Sequence, residues 1–70
     1  MKHVEILRDK RKFAVEMDRI DTWNYKVDVY EILPDDDFVF CGKAISNDPE
    51  HAAGTIIRKH LKGDTAGRRD

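Results

Sequence analysis

Residues 24–40 read NYKVDVYEILPDDDFVF, and the fold turns on whether Leu33-Pro34-Asp35-Asp36-Asp37-Phe38 is a ligand site or the tip of a hairpin. The flanks decide it. Tyr25, Val27 and Val29 alternate with Lys26 and Asp28, a period of two that marks a half-buried strand over 24–32. Phe38 to Ala44 is short, aromatic and β-branched, which suits another strand. Between them Pro34 presets φ for a turn, and aspartate side chains bond to nearby backbone N–H groups. A calcium loop counted from Asp35 needs oxygen ligands at alternating positions and glycine at the sixth, where Val39 and Phe40 stand. An Asp35/Asp37 pair could touch a magnesium ion, but no third carboxylate follows at a recognisable spacing. The three aspartates read as a solvated hairpin tip.

Working outward, Phe13 to Ile20 alternates Phe13, Val15 and Met17 with Glu16 and Asp18, which predicts a strand before the one at 24–32. Val4, Ile6 and Leu7 suit either a further strand ahead of a turn at Asp9-Lys10-Arg11 or the start of a short helix. At the other end Ala52, Ala53, Ile56, Ile57, His60 and Leu61 form a stripe at helical spacing. Asn47 or Asp48 can cap that helix, Pro49 is tolerated in its first turn, and Glu50 completes a capping box if Asn47 is the cap. Gly63 stands where an αL C-cap belongs, with Arg58, Lys59 and Lys62 placed to complement the negative helix end. The expected fold is α+β: one domain over 1–63, an antiparallel meander of three or four strands with a C-terminal helix on one face, and a flexible tail over 64–70.

A chain of 70 residues buries only about 60% of its unfolded surface, so its stability margin is thin. Cys41 is the only cysteine, which excludes an internal disulfide and a four-cysteine zinc site. A lone cysteine, no secretory h-region and no run of roughly 18 apolar residues predict a soluble, cytoplasmic protein with no membrane partner. The formal net charge of −1 is unevenly spread: residues 1–12 hold five basic and two acidic side chains, 13–50 three and ten, and 51–70 five and two.

Catalytic and metal patterns are weak. His51 and His60 are too far apart for a helical zinc pair at i, i+4, and His60 on the apolar stripe reads as a packing residue. Cys41 has no base and oxyanion turn of recognisable pattern around it, and Gly42 and Gly54 form no phosphate-binding motif. The expectation is a non-enzymatic protein with no cofactor and no metal.

Two binding readings compete. Lys10, Arg11 and Lys12 with Arg58, Lys59 and Lys62 could contact phosphates while aromatic side chains stack on bases. Three strands then a helix, with Ser46 before it and Ala52-Ala53 inside it, loosely resembles the second half of a double-stranded-RNA-binding domain. Where that family places basic residues at the helix start, this chain has Asn47-Asp48-Pro49-Glu50. A meander also sets the 33–37 tip beside the basic 8–12 tip and the helix end, where opposite charges neutralise one another. The other reading is apolar. One helix covers one sheet face, yet hydrophobes occupy both parities of the last two strands, and Trp23 stands in a turn. Trp23, Tyr30, Ile32, Phe38 and Phe40 are the candidates for an interface with a second copy in a homodimer or with another protein. The competing expectation is that the N-terminal segment or the tail folds across the second face.

Overall fold

The computed structural model describes residues 2–67, with side chains described over 2–63. Strands β1 (Lys2–Arg8), β2 (Arg11–Arg19), β3 (Tyr25–Ile32) and β4 (Phe38–Ser46) precede one helix, α1 (Pro49–Gly67). The strands form a single antiparallel sheet in the order β1-β2-β3-β4, and α1 packs on one face of it. The N-terminal segment is therefore a strand, and it joins the edge of the sheet instead of crossing its second face.

Each connection has a local cause. Asp9 and Lys10 both take positive φ, 53° and 64°, the signature of a two-residue type I′ hairpin. The β2–β3 connection is built on Asp21, whose Oδ1 accepts the backbone N–H of Trp23 and of Asn24, each at 2.9 Å. The Arg19 guanidinium braces the same turn by donating to the carbonyls of Asp21 and Thr22. At Pro34-Asp35-Asp36 the N–H of Asp36 donates to the Leu33 carbonyl at 2.9 Å, and Leu33 N–H donates to Asp37 O at 2.8 Å. Asp36 takes φ 69°, so this is a three-residue hairpin loop closed by a residue in the left-handed region. The aspartates are exposed at its tip.

The core lies between the sheet and α1. Phe13, Val15 and Met17 of β2, Val27 and Val29 of β3, and Ala53 and Ile57 of the helix are buried together. Burying each large side chain of this set contributes ~1.5–3 kcal/mol. Val4, Ile6, Tyr25, Cys41, Ala52, Ile56 and Leu61 pack at its margin. Asp48 caps the helix: its carbonyl accepts Ala52 N–H at 3.0 Å and its Oδ1 accepts His51 N–H at 3.2 Å. Ser46 Oγ in turn accepts the N–H of Asp48 at 3.0 Å.

The helix end differs from the sequence expectation. α1 continues through Gly63 to Gly67, and Gly63 does not take the positive φ of an αL cap. Glycine permits the left-handed conformation but does not impose it, and helical hydrogen bonding continues where nothing competes. Arg58, Lys59 and Lys62 thus precede the last turn, which holds no basic residue. Of the tail expected over 64–70, residues 64–67 belong to the helix, and 68–70 lie outside the described residues.

Candidate interaction surface

Strand alternation and register assign the face of the sheet away from α1. The paired rows there are Leu7, Lys12, Ile32 and Phe38, then Glu5, Ala14, Tyr30 and Phe40. Beyond them lie His3, Glu16, Asp28 and Lys43, and finally Asp18, Lys26 and Ile45. The first two rows make an apolar patch at the end that carries the 9–10 and 33–37 tips. Leu7 is 74% exposed, Phe38 62% and Phe40 53%. Tyr30 is half-buried between the phenylalanines, its ring 6.3 Å from Phe38 and 5.4 Å from Phe40. Ala14 is buried beneath this layer outside the main core. No described segment crosses the face.

A β-bulge fixes which side chains of β4 point outward. Val29 pairs with Gly42 and Tyr30 with Phe40, leaving Cys41 as the extra residue. Before the bulge Phe38 and Phe40 share the outer face with Ile32 and Tyr30; after it Lys43 and Ile45 do so. A bulge shifts facing by one residue, which is why Ile45 shares the outer face with Phe38 and Phe40 despite its opposite parity. Val39 and Cys41 turn towards the helix side, and Cys41 packs against the core margin. Burial, then the nearby Glu31 carboxylate, pushes the Cys41 thiol above its ordinary pKa, so it stays protonated and unsuited to nucleophilic attack.

The structure brings Tyr30, Ile32, Phe38 and Phe40 together and leaves Trp23 apart. Trp23 is 76% exposed in the β2–β3 connection, at the opposite end of β3, roughly 25 Å from the patch at ~3.3 Å per residue. Leu7 is the patch member that sequence reasoning passed over. Its signal was present, because in a β1 strand it shares parity with the polar His3 and Glu5.

The basic residues are divided. Lys12 lies on the outer face beside Ile32, and Lys10 is in the β1–β2 turn. Arg58, Lys59 and Lys62 are exposed on α1, on the other side of the sheet. Arg11 points to the helix side, where its Nε and Nη2 each donate to the Glu31 carboxylate at 2.7 Å. His60 Nε2 lies 3.0 Å from the same carboxylate, and its ring meets Phe13 edge-on with centroids 6.1 Å apart. His60 is thus a packing residue with a polar partner. The Arg11 guanidinium, foremost, holds Glu31 below the usual carboxylate pKa against the opposing effect of burial.

Among the described residues no three His, Cys, Asp or Glu side chains converge on a possible cation site. Among them, too, no helix is long and apolar enough to cross a membrane. Comparison with models of known protein families, with curated proteins and with solved structures finds no match to this chain.

Proposed function

We propose that this protein is a small non-catalytic interaction module whose outer sheet face seats a second copy of the chain. The observation that carries the reading is the layer of Tyr30, Ile32, Phe38 and Phe40, with Leu7 beyond Lys12 and Ala14, on a face that nothing described covers. Several large hydrophobes held in water by so small a domain are costly, and clusters of this kind mark interfaces. A second copy fits because the same face carries both signs of charge: Lys12, Lys26 and Lys43 among Glu5, Glu16, Asp18 and Asp28. An isologous contact requires such self-complementarity, whereas a nucleic-acid surface requires a continuous positive field. The division of Lys12, Arg11 and the helix lysines among three environments gives phosphate binding less support.

The test is sedimentation equilibrium over a concentration series, comparing the native chain with Phe38→Ser/Phe40→Ser. Both side chains are more than half exposed in the monomer, so the variant should keep its fold while association through this face weakens at least about ten-fold. Association unchanged in a folded variant would refute the reading.

A further inference from the structure

Strand β1 is an open edge in two respects. The helix packs over β2, β3 and β4 but does not reach β1. Val4 and Ile6 therefore border an open groove of about 230 Å³, completed by Val15, Met17, Glu50 and Ala53. The backbone is open too. The two-residue turn at Asp9-Lys10 makes Arg8 and Arg11 a hydrogen-bonded closing pair, and alternation then ties Lys2, Val4 and Ile6 to β2. The N–H and C=O groups of His3, Glu5 and Leu7 point the other way, along the free edge. β1 contains neither proline nor a bulge in its pairing with β2, two of the devices that protect edges from pairing.

From this edge and its groove we propose that β1 joins two copies edge to edge, antiparallel about a two-fold axis at Val4, into one continuous sheet with both helices on the same side. The register follows from side-chain chemistry. An axis at Glu5 sets that carboxylate against its own copy, and like charges directly opposite are destabilising. An axis at Ile6 sets Glu5 against Leu7 and Val4 against Arg8. An axis at His3 sets imidazole against imidazole and brings no carboxylate opposite either of them. Only the axis at Val4 sets His3 against Glu5, twice by symmetry, with imidazole opposite carboxylate on the outer side. Those pairs use the outward backbone groups of both residues. On the helix side Val4 meets Val4 in a close, non-hydrogen-bonded pair, and each Ile6 lies beside the partner's Lys2 stem. The apolar margins of the two grooves then shield each other, which is why a second copy is the occupant.

His3 and Glu5 also border the outer face, so the test is made in a chain whose outer-face contact has already been weakened. The Phe38→Ser/Phe40→Ser chain is followed by sedimentation equilibrium, with circular dichroism to check the fold. A dimer should persist in it. Adding Glu5→Pro removes an N–H that points to the free edge and leaves the β2 ladder intact, so the dimer should weaken at least about ten-fold. His3→Glu should weaken it similarly by opposing two carboxylates, and adding Glu5→Lys to His3→Glu should restore it. Should Glu5→Pro unfold the chain, the charge reversal and its rescue decide the matter. A background chain that stays monomeric at every concentration, or a dimer indifferent to Glu5→Pro and to His3→Glu, would overturn the proposal whatever the fate of the outer face.

Discussion

Glu31 accepts two hydrogen bonds from Arg11 at 2.7 Å while only 6% exposed, so one ion pair locks β3 to β2 beneath the helix. His60 adds a third contact at 3.0 Å from α1. An ionised carboxylate only accepts, so Nε2 carries the hydrogen. Removing one partner from such a pair costs more than the pair contributes, because a charge is left buried. Arg11→Met should therefore destabilise by ~1–3 kcal/mol in urea unfolding, the partial exposure of Arg11 holding the figure down. Arg11→Met combined with Glu31→Leu should recover much of that loss, since no orphaned charge remains.

The same carboxylate makes stability depend on pH. Its folded pKa is depressed below the ordinary glutamate value of 4.5, first by the Arg11 hydrogen bonds. Its contribution is thus fully present above the unfolded pKa and is lost as pH falls through the folded one. Unfolding followed from neutral to acid pH should show the native chain converging on Glu31→Gln below that window. A stability gap of constant size at all pH values would contradict this.

Gly42 and Gly54 should respond oppositely to alanine. A Cβ at Gly42 would stand 3.1 Å from Ile56 Cγ2, where α1 comes down on β4 beside the bulge. Gly42→Ala should cost ~1–3 kcal/mol by overpacking. A Cβ at Gly54 meets nothing within 4 Å in the interior of α1, and Gly54→Ala should add about 0.5–1 kcal/mol through helix propensity. Thermal unfolding of the two variants reads both signs directly.

Three turn positions, Asp9, Lys10 and Asp36, hold ordinary residues where glycine is the easier choice, and the last two give the clearest contrast. Lys10 has φ 64° and Asp36 φ 69°. Lys10→Gly should stabilise by about 0.5–1 kcal/mol, and Asp36→Gly by less, because aspartate tolerates the left-handed region better than lysine. Unfolding midpoints in urea would measure both.

The fold was legible because period-two alternation in residues 13–20 and 24–32 and the stripe from Ala52 to Leu61 all agree with one core. Pro34-Asp35 marked the hairpin for the same reason: its turn chemistry is local. β1 was ambiguous because seven residues with apolar Val4, Ile6 and Leu7 satisfy either period, and only pairing with β2 decides. The facing of β4 could not be read past residue 40, since a bulge that leaves Cys41 as the extra residue has no local signature in the alternation. Glu31 carried a signal in the sequence as an acid at an inward position of a strand. Its partners Arg11 and His60 are twenty and twenty-nine residues away, beyond any local pattern. Trp23 looked like a patch member because size and exposure are local properties, whereas contiguity depends on which end of β3 a turn occupies.

The most direct test of the outer face as an interface is the absolute mass of the purified chain. It would be taken by light scattering on a sizing column at low salt, with nucleic-acid absorbance followed in-line, beside Phe38→Ser/Phe40→Ser. The account predicts an assembly well above the 8.2 kDa monomer, free of nucleic acid and losing mass in the variant. A native chain at 8.2 kDa, or one carrying nucleic acid that salt removes, would contradict it.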